Sequence, residues 1–126
     1  MQDSFDKLDK IFLLREDFMN AITEKYNCYP KWPVDISNKS DQQALRDIAL
    51  KGVEEMFEAL QHLKNWKDHK QSVDSTFDKP EFLEEVVDAF NYFIALLIMV
   101  DVDSDEFFNA YLRKDKKIHA RLKNNY

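Results

Sequence analysis

Glycine, proline and cysteine are scarce in this chain, and each scarcity excludes a class of protein. Its 126 residues, a usual length for one domain, include one glycine (Gly52), three prolines and one cysteine (Cys28). So few turn-forming residues favour an all-α fold over a β-rich one, and a single glycine excludes glycine-rich phosphate loops. The length predicts one domain over residues 1–126. Because a lone cysteine cannot form an intrachain disulfide, we expect a reducing, cytoplasmic setting.

The chain also has no apolar run long enough to suggest a membrane span. Its longest apolar run, residues 90–100, reaches about half the length that a bilayer requires, and the polar, acidic start predicts no secretory signal. The net charge is −6, although residues 113–123 hold six basic residues and one acid. The acidic remainder argues against general nucleic-acid binding. The basic stretch suits either a small polyanion or the dipole at the C-terminal end of a helix.

Apolar residues recurring at three- and four-residue steps predict four helices in a four- to five-helix bundle. The first is expected over about residues 4–25, and the second from Ser40 to about residues 66–70. Three pairs have the spacing of capping boxes and mark the starts of helices 2, 3 and 4: Ser40 with Gln43, Asp78 with Glu81, and Asp103 with Glu106. Residues 26–38 are expected to form a loop whose aromatics, Tyr29 and Trp32, cover a core edge or act as a lid over a base.

Two acidic pairs, Glu55 with Glu58 and Glu85 with Asp88, lie in the two most apolar of these helices. Residues at i and i+3 share a helix face, so two helices lying side by side would bring four carboxylates together. Carboxylates that are so close raise each other's pKa unless a cation lies between them. Mg²⁺ is the natural cation, because it prefers carboxylate oxygen. Other acidic pairs at this spacing are expected at the surface or in helix caps.

Other kinds of catalytic site find little support in the sequence. None of the three histidines follows a glutamate at the spacing of a di-iron bundle, and three scattered histidines with one cysteine do not indicate zinc. Cys28 has no visible partner for nucleophilic catalysis, and there is no serine elbow.

The segments EMFE at 55–58 and, 26 residues later, EVVD at 85–88 resemble the E-x-x-E and E-x-x-D signature of the all-α nucleotide pyrophosphohydrolases, which include MazG and the dimeric dUTPases. Glu54 completes a double-Glu start that is usual in that superfamily. The segment KNWK at 64–67 resembles the K-x-W-K of dimeric dUTPases. Residues 111–126 resemble the C-terminal motif of dimeric dUTPases and of tailed-phage dCTP/dUTP pyrophosphatases. They match that motif at Lys114, Arg121 and Tyr126 and depart from it at Asp115, Ile118, Leu122 and Asn125.

The resemblance implies Mg²⁺-dependent hydrolysis of a deoxynucleoside triphosphate to the monophosphate and pyrophosphate. We expect dUTP to be preferred as the substrate, with dCTP next. Two or three Mg²⁺ ions, replaceable by Mn²⁺, would be bound by Glu55, Glu58, Glu85 and Asp88. Glu55 and Glu58 would be catalytic, with Glu55 orienting the attacking water. Five basic residues would hold the phosphates: Lys64, Lys67, Lys114, Lys117 and Arg121. Four others would contact base or sugar: Asn20, Trp66, Asn91 and Tyr126.

Several alternatives stay open at this point. Asn20 could instead be a solvated edge position, and Trp66 could pack on helix 1 rather than on a base. The chain could be a catalytically degenerate helical protein that binds or regulates a partner, or a pyrophosphohydrolase of broad or modified-nucleotide specificity. Because helix 3 is apolar on most sides, we expect a homodimer or higher homo-oligomer. The acidic charge and the short apolar run predict no nucleic-acid or membrane partner.

Overall fold

The computed structural model describes residues 6–71 and 76–124, and within these ranges the protein is four helices without a strand. The helices are α1 (Lys7–Tyr26), α2 (Lys39–Leu60), α3 (Lys79–Met99) and α4 (Ser104–Lys123). The all-α prediction is therefore confirmed, with the lower of the two expected helix numbers.

Each helix begins at an acidic or amide side chain that accepts a hydrogen bond from a backbone N–H in the first turn. These N-caps are Asp6, Asn38, Asp78 and Asp103. The expected caps at Asp78 and Asp103 are confirmed, but the expected cap at Ser40 is wrong. Asn38 has an extended backbone and accepts from the N–H of Asp41, so Ser40 already lies in the first turn and donates its hydroxyl to Asn38 at 2.6 Å.

The end of α2 is also earlier than expected, at Leu60 rather than near residues 66–70. The backbone N–H groups of Gln61 and His62 bond to the carbonyls of Glu58 and Ala59, which tightens and ends the last turn. The polar stretch after Leu63 offers no apolar face for a longer helix to bury, and Ala59 is the last buried residue of α2. Residues 61–71 are turns and irregular chain.

The core forms where α2 and α3 pack together and α1 lies across α3. Its buried members come from three helices: Phe12, Met19, Leu45, Ile48, Ala95, Ile98 and Met99. The loop after α1 covers one edge of this core, as its aromatics predict. Tyr29, Trp32 and Val34 pack against the core, and the Val34 N–H donates to the Met99 carbonyl at 2.9 Å.

The only glycine of the chain allows α2 and α3 to approach closely. A Cβ added to Gly52 would lie 2.5 Å from Cε1 of Phe93, a distance that real Cβ atoms do not adopt. Ala59 of α2 and Ala89 of α3 are fully buried. The absence of a side chain at Gly52, three residues before Glu55, therefore permits the close approach of the two helices beside the acidic pairs.

Helix α4 is attached much more loosely. None of its residues is buried, and among the described helices it packs against α1 alone. Phe107 lies with its ring centre 6.3 Å from that of Phe12, and Ser104 hydrogen-bonds to Asp9. Both contacts are at the start of α4, so its basic half extends beyond them.

Candidate metal centre and adjoining cleft

The two acidic motifs meet because α2 and α3 run antiparallel. Gly52 faces Phe93, and later along α2 Glu58 lies beside Glu85, which comes earlier on α3, so the end of α2 lies beside the start of α3. Glu55, Glu58 and Glu85 each offer one carboxylate oxygen, and these three atoms lie within 4.8 Å of one another. We call these three residues the acidic cluster. Two motifs separated by 26 residues in sequence therefore share one place in the fold.

Asp88, the fourth predicted ligand, lies beside this group of three rather than within it. Its negative charge nevertheless raises the pKa of both Glu55 and Glu85, so it is close to the acidic cluster. Asp88 and Glu55 also line the same cleft. The structure thus brings three of the four predicted ligands together and places the fourth nearby.

Partial burial and mutual repulsion raise the pKa values of two of these carboxyl groups, those of Glu55 and Glu85. The pKa of Glu55 is raised above its ordinary value of 4.5, first by loss of solvent and then by the charge and hydrogen bond of Glu58. The pKa of Glu85 is raised by desolvation and by the hydrogen bond that its protonated form donates to Glu58, although nearby His62 lowers it in part. Such a cluster is relieved either by taking up protons or by binding a cation.

The ligand chemistry of the cluster suits a hard divalent cation. Three carboxylate oxygens and no thiolate or imidazole match the preference of Mg²⁺ for oxygen, and Mn²⁺ accepts the same ligands. Glu55 and Glu85 are half-buried and Glu58 is exposed, so a bound ion would keep one side open to water or substrate. An ion so placed could contact phosphate oxygens while remaining attached to the protein.

A cleft of about 1430 Å³ lies between α1, α2 and α3, and its lining includes Glu55 of the acidic cluster and the nearby Asp88. That volume exceeds the usual range for small-molecule sites. Its polar lining includes Asp47, Lys51, Glu55, Asp88 and Asn91. Asn91, predicted to contact sugar or base, is half-buried in this lining, one helical turn from Asp88.

Sequence reasoning missed two residues that line the cleft, Arg15 and Tyr92. The signal for Arg15 was present, because it lies midway between Phe12 and Phe18 on the apolar stripe of α1. A charged residue on such a stripe is unusual and points to a function or a buried partner. Tyr92 gave no separate signal. Tyr29, predicted to cover a core edge or to act as a lid over a base, packs against the core and also lines the cleft.

The predicted phosphate ligands are not assembled around the cluster in one chain. Lys114, Lys117 and Arg121 are exposed on α4, which does not pack against α2 or α3 in the described structure. They do not line the cleft. Lys64 and Lys67 are exposed in the segment that follows α2, a few residues beyond Glu58.

The predicted base-binding residues are also spread out. Asn20 is exposed on α1 and does not line the cleft, and Tyr126 lies outside the described residues. The side chain of Trp66 is 70% exposed, with the Lys67 ammonium 5.7 Å from its ring centre. This exposure contradicts the alternative that Trp66 packs on helix 1. Among the described residues of this set, Asn91 alone lines the cleft.

No protein-family model matches the chain, and neither the curated proteins nor the solved structures include a significant match. Within the described residues, no helix is both long and apolar enough to cross a bilayer.

Proposed function

We propose that this protein hydrolyses a deoxynucleoside triphosphate, dUTP in preference to dCTP, to the monophosphate and pyrophosphate with Mg²⁺ as cofactor. The observation that carries the proposal is the convergence of Glu55, Glu58 and Glu85, with Asp88 beside them, next to a large cleft that Glu55 and Asp88 line. The resemblance of both acidic motifs to those of the all-α nucleotide pyrophosphohydrolases supports the same reaction. A cytoplasmic location, where such nucleotides are found, fits this function.

The residues divide the work of such a reaction. Bound Mg²⁺ would neutralise phosphate charge and make a water molecule more acidic. Glu55, Glu58, Glu85 and Asp88 would hold the cation, which would in turn bind the phosphates. A carboxylate oxygen of Glu55 that is not engaged by metal would orient the water and accept its proton as the water oxygen bonds to the α-phosphorus. Pyrophosphate leaves as the bond between the α-phosphorus and the bridging oxygen breaks.

Basic side chains complete the phosphate site in this proposal. Lys64 and Lys67 follow α2 closely, whereas Lys114, Lys117 and Arg121 reach the phosphates only if α4 approaches the cluster. We propose that α4 of a second copy of the chain brings its basic residues to the acidic cluster. Large apolar side chains are exposed on α3 and α4, including Val87, Phe90 and Phe108 at 54%, 51% and 52%. Sedimentation at micromolar concentration should show a homodimer or larger assembly, and a monomer alone would contradict that part.

A nucleotide panel tests the activity. The protein is incubated with dUTP, dCTP, dTTP, dATP and dGTP, each with Mg²⁺, with Mn²⁺ and with EDTA, and pyrophosphate and orthophosphate are measured separately. We expect pyrophosphate from dUTP and, more slowly, from dCTP, with either metal and not with EDTA. Absence of metal-dependent pyrophosphate release from every nucleotide would reject the proposal. Release across the whole panel would indicate broad specificity, and the panel can be extended to modified nucleotides.

One observation favours a second candidate, a catalytically degenerate helical protein that binds or regulates a partner. The basic residues of α4 lie away from the acidic cluster, and its motif departs from the family pattern at Asp115 and Ile118. Tight binding of a nucleotide with Mg²⁺ but without turnover would favour this candidate over the enzyme.

A further inference from the structure

Arg15 enters the cleft from α1 and is held there by aromatic residues. Its guanidinium carbon lies 5.0 Å from the ring centre of Phe18 and 5.9 Å from that of Tyr92. Its Nη2 donates a hydrogen bond to the hydroxyl of Tyr29 at 3.0 Å. Three side chains from α1, α3 and the loop after α1 thus fix one guanidinium in the cleft wall.

The charge and donors of this guanidinium are largely unused. The bond from Nη2 to Tyr29 is its only hydrogen bond in the described structure, and no carboxylate there pairs with it. Its Nε is buried without an acceptor. The neighbouring carboxylate of Glu16 instead accepts from Nε1 of Trp32 at 3.0 Å. A half-buried guanidinium with idle donors is costly unless a ligand supplies acceptors.

The position of Arg15 relative to the acidic cluster suggests which part of a ligand it meets. Tyr92, against which Arg15 lies, is four residues beyond Asp88 on α3, a rise of about 6 Å. Asn91 lies between them along the cleft lining. A nucleotide with its phosphates at the acidic cluster therefore extends its sugar past Asn91 and its base toward Arg15.

We propose that Arg15 recognises the nucleobase, donating from its guanidinium to a carbonyl oxygen of an oxo-substituted base such as uracil. This inference rests on the proposed function and adds a specificity-determining residue to it. A planar base suits a wall built from Phe18, Tyr29 and Tyr92, and its carbonyl provides the acceptor that Arg15 lacks. The hydroxyl of Tyr29 acts as a positioning group, because it holds Nη2 and so orients the remaining donors.

The test separates base contact from phosphate contact by using a ligand without a base. For Arg15→Ala we expect binding of dUMP, measured by calorimetry with Mg²⁺, to weaken about 10- to 100-fold, as for loss of a charged hydrogen bond. The KM for dUTP should rise similarly with kcat little changed. Inhibition by pyrophosphate, which carries no base, should be unchanged. Equal weakening of pyrophosphate and dUMP would overturn the proposal, since Arg15 would then bind phosphate.

Three further variants guard against a merely structural effect. Arg15→Lys keeps the charge but not the planar group and should restore only part of the dUMP affinity. Tyr29→Phe removes one hydrogen bond and should weaken dUMP binding about three- to tenfold, which keeps the test decisive if Arg15→Ala fails to fold. Arg46→Ala, at an exposed arginine of α2, is the control and should change nothing.

The outcomes for the two proposals remain distinct. If the unaltered protein releases pyrophosphate and both Arg15→Ala and Tyr29→Phe bind dUMP normally, only the role of Arg15 is overturned. If the unaltered protein neither hydrolyses nor binds any nucleotide in the panel, the proposed function fails and the role of Arg15 fails with it.

Discussion

Helices α2 and α3 are closely packed within the protein, whereas helix α4 is only loosely packed. Gly52 of α2 lies against Phe93 of α3, and both helices contribute buried residues to the core. By contrast, α4 has no buried residue, packs against α1 alone among the described helices, and contacts it through Ser104 and Phe107 at its start. One region is fixed by close contact within the chain, and the other is attached at one end.

This difference divides the proposed phosphate site into a fixed half and an unassembled half. The acidic cluster is positioned by packing before any ligand arrives, so an ion would meet a preformed set of oxygens. The basic residues of α4 need either a ligand or a second copy of the chain to bring them near. Predictions that disturb one region and not the other therefore test whether the division is real.

The largest effect is expected from removing a charge of the acidic cluster. Glu58→Gln should lower kcat for dUTP about 100-fold or more, because the bound metal contributes several kcal/mol to transition-state stabilisation. Helical content, measured by circular dichroism, should stay unchanged, since Glu58 is exposed. Glu54→Gln is the matched control, because Glu54 is the exposed neighbour of Glu55 outside the cluster. Equal losses in both variants would mean that the cluster has no special role.

The second prediction concerns α4. Replacing Lys114, Lys117 and Arg121 together with alanine should raise the KM for dUTP about tenfold or more, through loss of charged contacts to phosphate. Metal binding should not change, because these residues lie away from the acidic cluster.

Mixing this triple variant with Glu58→Gln sharpens the same comparison. If α4 of one copy serves the acidic cluster of another, random dimers should regain about a quarter of normal activity, because half are mixed and each mixed dimer has one intact site. No regain in a sample shown to exchange subunits would mean that α4 serves its own chain or none.

The third prediction tests the close packing that fixes the cluster. Gly52→Ala should lower the free energy of unfolding by about 1–3 kcal/mol, because the added methyl overlaps the ring of Phe93. Adding Phe93→Leu should recover part of this loss by making room. Chemical denaturation measures both, and a stabilised Gly52→Ala would show that α2 and α3 separate at no cost.

The smallest effect is a pH dependence of stability. The pKa values of Glu55 and Glu85 are raised above the ordinary 4.5, so the folded protein binds more protons than the unfolded chain between the ordinary and raised values. Their contribution to the free energy of unfolding should therefore fall as pH rises through that window and stay low above it. Denaturation between pH 4 and 8 in EDTA checks this. Glu55→Gln, or added Mg²⁺, should make the free energy of unfolding depend less on pH. An unchanged pH dependence in both cases would contradict the prediction.

Regular spacing made the fold and most of the acidic site predictable from the sequence. Three-residue spacing placed each acidic pair on one helix face, and two helices packed side by side brought Glu55, Glu58 and Glu85 together. The offset of Asp88 could not be predicted, because it depends on the rotation of α3 against α2. Periodicity also extended α2 too far, since Leu63 continues the apolar pattern where no partner helix covers it.

Other features depend on contacts between residues far apart in sequence. The role of Gly52 required knowing that Phe93 faces it, and the setting of Arg15 required Tyr29 and Tyr92 to be brought beside α1. The contacts of α4 could not be predicted from its amphipathic pattern, because that pattern predicts burial of one face whereas none of the residues of α4 is buried.

The most direct test of the central claim is binding of Mn²⁺, measured by electron paramagnetic resonance without nucleotide. We expect saturable binding by the unaltered protein and by Glu54→Gln, and its loss or at least a tenfold weakening in Glu58→Gln and Glu85→Gln. Equal Mn²⁺ binding by all four proteins, or none by the unaltered protein, would contradict the claim that Glu55, Glu58 and Glu85 form a metal centre.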